Sequence, residues 1–337
     1  MGENIITSSV TDPASGSPRP PLLMSMPSLS IVMEWENAKN SDVQRGFATL
    51  SALAQQVRAL RNASSVPPEL LLIHDEAAVS GQSMRERLES AAAGFPGAVR
   101  IFSTRGLDYY QQKNFGAQKA VNDVVLFVDC DVVLTADWLE RLLKCYVEEG
   151  ADVVCGATHM EQRSVYEKSF AAFWFFPLAS ELGGRQRTSA FFANNVLFRS
   201  AVIKSLPFPD APLVRGKCVL LSDQLRQRQY SMFIEPAASV LHPPPDGFLH
   251  FVKRALCAGH DNLAMTDHRG LRHSFWRFRA QLRAAISRIR LHRKEVGLSR
   301  GASVLAYATA GAYIGLAFLG EAISLYRSDW IYKYFRV

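Results

Sequence analysis

The sequence predicts an α/β fold, with a mostly parallel central sheet flanked by helices and a helical appendage at the C-terminus. Short apolar segments alternate with segments of helical periodicity as far as Glu149. This alternation is typical of βαβ units, whose strands run parallel. The predicted strands are Leu29–Met33, Leu70–Ile73, Val99–Phe102 and Val124–Val128. The predicted helices are 41–59, 83–93, 113–121 and 137–149.

Three regions follow from the composition along the chain of 337 residues. Residues 1–28 are rich in Ser, Pro, Thr and Gly and have no periodicity, which predicts a disordered leader. Residues 29–260 form the predicted α/β domain. Residues 261–337 combine a basic amphipathic helix with an apolar helix, and together they form the predicted appendage.

The formal net charge of +7 is unevenly distributed. Between Arg269 and Arg300 one acid, Glu295, stands among many Arg and Lys residues. A basic segment beside an apolar one favours an anionic membrane surface over nucleic acid as the partner. The five cysteines include no CxxC pair. They predict buried, reduced thiols, as expected of a cytoplasmic catalytic domain.

Acidic residues follow several of the predicted strands. Glu34 and Glu36 follow the first strand, Asp75 the second, and Asp129 and Asp131 the fourth. Ligands of parallel sheets bind at the carboxyl ends of the strands. We therefore expect these acids to carry the function.

Asp129-Cys130-Asp131 is the strongest of these signals. Two carboxylates at the end of an apolar strand ionise at little cost only when a cation compensates them. Their hard oxygen atoms suit Mg²⁺ or Mn²⁺, and the remaining coordination positions suit diphosphate oxygens. The alternative interpretation is a pair of turn or helix-capping aspartates, because a predicted helix begins nearby at Asp137.

Several segments, in this order, resemble the family 2 glycosyltransferases of GT-A fold. They are Leu29–Asn37, Ile73-His74-Asp75, Lys113-Asn114-Phe115-Gly116 and Asp129-Cys130-Asp131. The resemblance extends over roughly residues 29–260. It implies that Asp75 contacts the uracil ring, that Lys113 and Asn114 lie beside the diphosphate, and that Asp129 and Asp131 bind the diphosphate and the metal ion.

The second half of the domain resembles the same family with more departures. Asn195, in Ala193–Arg199, would lie near the donor sugar and acceptor, or serve a turn. Asp223, in Leu221–Leu225, would be the general base of an inverting transfer, or an exposed acid near a helix N-terminus. His242 ends a strand where the family's histidine approaches the metal or diphosphate, and the alternative is a surface residue.

The donor pocket departs from the family pattern at Glu34-Trp35-Glu36-Asn37. We expect Trp35 to stack on the base and Glu36 to accept a hydrogen bond from a ribose hydroxyl. The Trp motif of processive synthases is absent near Arg254. This absence favours transfer of a single sugar over polymerisation.

The C-terminal appendage predicts membrane association. Ala302–Gly320 carries no charge and is close to the shortest length that spans a bilayer. Gly311 and Gly315 have the GxxxG spacing that favours close helix packing. The preceding segment, Phe275–Lys294, alternates apolar residues with arginines, which is typical of a helix lying on an anionic membrane. The alternative is a core helix or a helix of a homo-oligomer.

The aromatic segment Phe170–Pro177 has two interpretations. It either packs in the core or faces a lipid or carbohydrate acceptor. Its residues alone do not decide between the two.

These observations predict a metal-dependent enzyme of polysaccharide biosynthesis. We expect it to move one sugar from a nucleotide-sugar, a UDP-sugar, to a carbohydrate or lipid-linked acceptor at the cytoplasmic face of the membrane. Two alternatives are a sugar-phosphate nucleotidylyltransferase, although no glycine-rich phosphate loop follows the first strand, and a nucleotide-sugar-binding scaffold without catalysis.

Overall fold

The computed structural model describes residues 26–35, 43–60, 66–75, 81–327 and 329–335, with backbone alone for residues 81–83. It confirms the α/β fold, with a nine-stranded sheet flanked by helices. Residues 1–25 of the predicted leader, and Glu36 with Asn37, lie outside the described residues. Of the leader's last residues, Met26 packs against the core, and the Ser28 hydroxyl donates a 2.7 Å hydrogen bond to Asp123.

The first half of the sheet is parallel, as predicted. Its elements are β1 (Leu29–Glu34), α1 (Val43–Ala59), β2 (Glu69–Asp75), α2 (Gly81–Ala92), β3 (Ala98–Thr104), α3 (Tyr109–Lys119) and β4 (Val124–Asp129). The strands lie in the order β3-β2-β1-β4, and each neighbouring pair is parallel. Their carboxyl ends therefore meet at one edge of the sheet.

Helix α3 begins four residues before the predicted start at Lys113. Asp108 caps it: the Asp108 carboxylate accepts a 2.8 Å hydrogen bond from the Gln111 amide, and the Gln111 side chain accepts a 3.0 Å bond from the Asp108 amide. This capping box satisfies two amide groups at the helix terminus. The early start adds Tyr109 to the helix.

The second half of the sheet is mixed rather than parallel. Its elements are β5 (Val133–Leu134), α4 (Trp138–Glu149), β6 (Val153–Met160), α5 (Val165–Phe173), β7 (Gln186–Arg187), β8 (Asn195–Arg199), α6 (Ser200–Ser205), α7 (Lys217–Gln227) and β9 (Met232–His242). Strand β8 runs antiparallel to both β4 and β6, whereas β6 and β9 are parallel. Strands β5 and β7 are antiparallel to β9, so they too run in the opposite direction. Alternation of strands and helices predicts parallel pairing, and it does not reveal these reversals.

Two apolar cores cover the two faces of the sheet. Ile31 and Met33 of β1 point into one cluster, and Val32 points into the other. Side chains alternate between the faces of a strand, so a strand that is covered on both sides is apolar throughout. All six residues of β4 are buried, which explains why this strand is a continuous apolar run up to Asp129.

The appendage is a layer of helices packed onto the α/β domain. It contains α8 (Gly247–Ala264), α9 (Leu271–His292), α10 (Arg300–Tyr326) and α11 (Trp330–Phe335). Position 260, where the domain boundary was predicted, lies inside α8. Helix α10 contacts α5, α8, α9 and α11. Phe170 and Trp174 pack against Tyr313 of α10, so these two rings of the aromatic segment belong to the core.

Close helix packing involves other glycines than the predicted pair. A Cβ on Gly311 or Gly315 would meet no atom within 4 Å among the described residues. A Cβ on Gly259 of α8 would lie 1.9 Å from the Ala317 carbonyl oxygen, and one on Gly320 would lie 2.3 Å from that of Leu256. The close approach is thus between α8 and α10, while Gly311 and Gly315 lie on another side of the helix.

Candidate active site

Polar residues meet at the carboxyl edge of the parallel strands. Glu34, Asp75 and Asp129 are the last residues of β1, β2 and β4, and all three are buried. Glu34 lies directly opposite Asp129 in the strand register. These three acids therefore lie along one edge of the sheet, whereas their predicted roles in binding stay predictions.

Asp129, Asp131 and His242 form the one candidate metal-binding group found among the described residues. One ligand atom from each lies within 4.8 Å of the others. Strand pairing brings His242 there, because Val133, just after the aspartates, is paired with Leu241 in β9. Two carboxylates and an imidazole in this arrangement can hold a divalent cation.

Asp129 is fixed by a buried ion pair and a phenol. Lys113 Nζ lies 2.7 Å from Asp129 Oδ1, and both side chains are almost fully buried. The Tyr109 hydroxyl lies 2.8 and 3.0 Å from the two carboxylate oxygens and donates to them. Burial, then the charge of Asp129, raises the pKa of Tyr109, so the phenol stays protonated as a donor. Lys113 thus forms an ion pair with the first aspartate of the predicted metal motif.

Asp131 and His242 have atoms suited to a cation. Asp131 Oδ1 is buried and finds no hydrogen-bond donor among the described residues. Burial raises the pKa of Asp131, against the lowering effect of His242. His242 Nδ1 lies 2.6 Å from the Pro243 carbonyl oxygen. A carbonyl only accepts, so Nδ1 carries the hydrogen and Nε2 keeps its lone pair for a metal. These donor groups fit a divalent ion.

An open cavity of about 230 Å³ lies beside Asp131 and His242. Its lining combines acids, cations and aromatic side chains. The lining residues are Arg45, Asp131, Met160, Glu161, Tyr166, Glu167, Trp174, Phe176, His242, Pro243, Pro244, Pro245, Asp246, His250 and Arg254. This mixture can hold a polar ligand that carries charge.

Glu161 is not suited to act as a base in this cavity. Arg45 binds both of its oxygens, at 2.7 and 3.0 Å, and Arg163 lies 2.6 Å from one of them. Burial alone would raise the pKa of Glu161, but the two guanidinium groups outweigh burial and lower it. The carboxylate is therefore a weak proton acceptor. Its bonds to Arg45 connect α1 to the end of β6.

Two arginines place positive charge near the acids. Arg254 lines the cavity, and its guanidinium lies 6.0 Å from the centre of the Trp174 ring. The Arg215 guanidinium lies 4.4 Å from the centre of the Tyr109 ring, next to Asp129. Burial lowers the pKa of Arg254, and the nearby charge of Arg215 lowers it further. An anionic ligand that binds near the two like charges lowers the cost of their mutual repulsion.

Asp261 of α8 holds the loop that carries Arg215. Its carboxylate accepts hydrogen bonds from the amides of Val214 and Arg215, at 2.8 and 2.7 Å, and from that of Gly216 at 3.2 Å. His260 Nε2 lies 2.8 Å from the Pro212 carbonyl oxygen. The C-terminal helices therefore set the position of this loop at the site.

Three of the predicted binding residues are used in packing. Trp35 is buried against Phe47, and a Cβ on Gly46 would meet its ring at 2.8 Å. Asn195 donates to the carbonyls of Ala157 and Ala238 and accepts from Trp138 Nε1. Neither Trp35 nor Asn195 lines the cavity. Their predicted contacts, of Trp35 with a base and of Asn195 with the sugar, stay predictions.

Asn114 is the third of these residues. Its side chain makes two hydrogen bonds with the backbone of Phe208, at 2.8 and 2.9 Å. It fixes a neighbouring loop, whereas Lys113 in the same predicted element reaches Asp129.

Asp223 and Asp246 differ in position. Asp223, the predicted base, is 47% exposed on α7, pairs with Arg226 at 2.9 Å and does not line the cavity. Asp246 does line it, and is exposed at the N-terminus of α8. Among the described acids, Asp246 is thus better placed to meet an acceptor hydroxyl.

One local pattern could have predicted a further residue of this site, Tyr109. Tyr109 and Lys113 are four residues apart, which places them on one face of a helix. For Arg215, Arg254 and Asp246, no local sequence pattern indicates a position near the site. Asp246 and Arg254 reach the cavity because α8 packs over this edge of the sheet, whereas Arg215, in the loop before α7, lies over the Tyr109 ring.

Comparisons with known proteins agree with this arrangement. Residues 49–206 match the model of glycosyl transferase family 2. No curated protein sequence matches the chain significantly. A solved structure of the mannosyltransferase PcManGT from Pyrobaculum calidifontis, in complex with GDP-Man and Mn²⁺, is similar to this chain, with a TM-score of 0.54 and 14% identity. The match covers 91% of this chain and 89% of that one.

A structure of GalNAc-T7 with UDP, GalNAc and Mn²⁺ matches less well. The TM-score is 0.47 at 15% identity, over 65% of this chain and 44% of that one. The fold assignment depends on the mannosyltransferase, whose match extends over nearly the whole chain. The match to the mannosyltransferase shows the GT-A fold, and the family model shows that residues 49–206 of this glycosyltransferase carry a glycosyl transferase family 2 domain.

Proposed function

We propose that the protein transfers a single sugar from a nucleotide-sugar to a carbohydrate or lipid-linked acceptor, with Mn²⁺ or Mg²⁺ and with inversion at the anomeric carbon. One observation carries the proposal: Asp129, Asp131 and His242 converge beside an open cavity at the carboxyl edge of the sheet. The family 2 domain over residues 49–206 supports the reaction class.

The metal ion would be held by Asp131 and His242, with Asp129 beside them. When bound, it would neutralise charge on the diphosphate that leaves the sugar. Lys113 and Tyr109 hold the Asp129 carboxylate in a fixed orientation for this role. The similar mannosyltransferase was solved with Mn²⁺, which supports a divalent ion.

The nucleoside would lie against β1 and β2. Glu34 ends β1 opposite Asp129, and Asp75 ends β2, the next strand of the sheet, where both can accept hydrogen bonds from a base or a ribose. We retain UDP as the proposed nucleotide because of Asp75, although the similar mannosyltransferase was solved with GDP-Man. A nucleotide panel tests this choice.

Arg215 and Arg254 would receive negative charge from the diphosphate. Arg254 lines the cavity, and Arg215 lies over the ring of Tyr109, whose hydroxyl donates to Asp129. Fixed cations near a leaving group stabilise the charge that develops in the transition state. The Asp261 carboxylate accepts hydrogen bonds from the amides of residues 214–216, and these bonds preorganise the loop that carries Arg215.

The acceptor would enter through the cavity. Asp246 is the acid on its lining that is exposed and could accept a proton from an acceptor hydroxyl. Asp223 remains the base implied by the family resemblance, at a position on α7 away from the lining. We place the protein at the cytoplasmic face of a membrane, where a lipid-linked acceptor would be available.

The proposal is tested by assaying release of free nucleotide and formation of glycosylated product. The assay uses a panel of UDP- and GDP-sugars with Mn²⁺, with Mg²⁺ and with EDTA, on wild type and on Asp131→Ala. We expect turnover with one nucleotide class and with metal only, and almost none in the variant. Full activity of Asp131→Ala, or activity unaffected by EDTA, would contradict the metal role.

A nucleotide-sugar-binding scaffold is the second candidate, favoured by the position of Asp223 outside the cavity. The same assay separates the two. The scaffold predicts that the donor raises the melting temperature in the presence of metal, since ligands stabilise the state they bind. It also predicts that the donor stays intact with every acceptor.

A further inference from the structure

Helix α10 is long and apolar enough to cross a membrane, yet it is built into the domain. It spans Arg300–Tyr326 with a mean hydropathy of 1.6 in its most apolar window. On its inner side, Glu321 is 2% exposed and pairs with Arg277 of α9 at 3.1 Å. Its backbone also contacts α8 closely at Gly320. A span surrounded by lipid would have to give up these contacts and carry Glu321 into hydrocarbon.

The outer side of α10 is an apolar stripe. The large side chains exposed along it are Val304, Leu305, Leu319 and Tyr326. Ala308 and Ala312 are exposed between them, and Gly311 and Gly315 leave open space there. Leu305, Ala312, Leu319 and Tyr326 recur every seven residues, so they lie on one face of the helix. The stripe thus extends along most of the helix.

Helix α9 continues this surface with aromatic residues. Phe275 and Trp276 are 47% and 53% exposed. Phe275 and Phe278 contact Phe318, at ring-centre distances of 6.4 and 5.4 Å, and Phe318 is next to the exposed Leu319. The exposed aromatic residues of α9 and the stripe of α10 are therefore neighbours on one surface.

The exposed charges of α9 are positive. Helix α9 contains no acid. Arg272, Arg283 and Arg290 are exposed, and the Arg279 guanidinium lies 5.1 Å from the centre of the Trp276 ring. Two other arginines of α9 face inward: Arg277 binds Glu321, and Arg288 binds the Phe176 carbonyl and Glu181. Arginines beside exposed Trp and Phe match the chemistry of an anionic lipid surface.

We propose that the exposed faces of α9 and α10 dock the protein onto an anionic phospholipid bilayer, with α10 lying in the interface instead of crossing the membrane. The proposal rests on the membrane location put forward under the proposed function, and it adds the surface, the lipid charge and the mode of attachment. Aromatic and aliphatic side chains would enter the headgroup region while the arginines bind the lipid phosphates.

The test is co-sedimentation of the full-length protein with vesicles of phosphatidylcholine alone and of phosphatidylcholine mixed with phosphatidylglycerol. We expect binding to the mixed vesicles, weaker binding to neutral ones, and release by high salt or by alkaline carbonate. Exchanging Arg272 and Arg283 for Gln should weaken binding roughly 30-fold. Trp276→Ser with Leu305→Ser should weaken it as well.

A matched control is Arg226→Gln with Arg228→Gln, which removes the same charge from two exposed positions at the C-terminal end of α7. It should bind vesicles as wild type does. Circular dichroism and thermal melts establish that each variant is folded.

Three results would overturn the proposal. The first is equal binding to neutral and anionic vesicles. The second is a loss of binding in the α7 control as large as that in the Arg272 and Arg283 variant. The third is resistance to carbonate extraction, which indicates a transmembrane helix. Lipid-free dimers that dissociate in the Trp276 and Leu305 variant would instead assign the surface to a second copy of the chain. Because the transfer assay runs without vesicles, loss of transfer with intact vesicle binding contradicts only the proposed function.

Discussion

Lys113 and Asp129 form a buried ion pair, with Nζ and Oδ1 2.7 Å apart, at the point where the central strand β4 meets the candidate metal site. A buried pair is costly to break, because removing one partner leaves the other charge without compensation. Here the charge left behind would be a carboxylate of the metal-binding group. The pair thus joins the stability of the fold to the function of the site.

Replacing Lys113 by Met should lower the free energy of unfolding by about 3–5 kcal/mol. In the variant the Asp129 carboxylate stays buried and keeps the hydrogen bond from the Tyr109 hydroxyl, but it loses the positive charge of Lys113. Urea unfolding followed by circular dichroism measures the change. Lys119→Met, on the exposed side of the same helix, is the control and should change stability by less than about 0.5 kcal/mol. Equal effects of the two substitutions would show that the pair is not important for stability.

Asp131→Asn should make the metal-free protein more stable at neutral pH. Burial raises the pKa of Asp131 in the folded state, so folding favours its protonated form. The stability linked to this group is therefore present at low pH and decreases as the pH rises through the folded-state pKa. Asn removes that decrease, so melting temperatures of wild type and variant should diverge with increasing pH.

The same substitution should reduce metal-dependent turnover by about 100-fold or more. Asp137→Asn provides the control, because Asp137 is an exposed aspartate six residues along the chain. It should change neither the pH profile of stability nor turnover. A less stable Asp131→Asn protein would show that burial does not strain this carboxylate.

Asp246→Asn should reduce kcat by about 100- to 10,000-fold and leave donor affinity unchanged, as expected for loss of a general base. Asp223→Asn should leave kcat within about twofold, because surface substitutions have small effects. Steady-state kinetics with saturating donor and metal separates the two. If only Asp223→Asn lost turnover, the base implied by the family resemblance would be correct, and α7 would have to move toward the acceptor.

Arg254→Ala should weaken binding of nucleoside diphosphate by about 10- to 100-fold, since hydrogen bonds to charged groups contribute about 1.5–3 kcal/mol. Arg254→Lys should retain part of the affinity. Isothermal titration with UDP and with GDP, in the presence of Mn²⁺, measures the effect. Unphosphorylated nucleoside serves as the control ligand. An equal loss of nucleoside affinity would place Arg254 at the base instead of at the phosphates.

Gly259→Ala should destabilise the protein by about 1–3 kcal/mol, because the new Cβ would overlap the Ala317 carbonyl of α10. Gly315→Ala, on the exposed stripe of α10, should be neutral or stabilising by up to about 1 kcal/mol through helix propensity. Thermal unfolding of both variants is the measurement. A neutral Gly259→Ala would mean that α8 and α10 are not tightly packed in solution, and would reopen a spanning role for α10.

Much of the first half of the chain was predictable, because local patterns there are set by burial. Apolar runs such as Val124–Val128 are strands covered on both faces, and that environment excludes polar residues. The position of Asp129 and Asp75 at strand ends follows from the same patterns together with the parallel pairing. The direction of β8 and the early start of α3 were missed, since the first depends on distant strands and the second on the cap at Asp108.

The α/β fold, the sheet edge that holds the acids and the Asp129-Cys130-Asp131 motif were predictable from local patterns, because strand periodicity and acids at strand ends are local properties. Which polar residues share the cavity depends on tertiary contacts. The tertiary structure brought His242 to the aspartates through β5 and β9, and it placed Asn195 in the core and Asp223 on the surface. Such positions depend on contacts between residues far apart in the chain, which a local pattern does not encode.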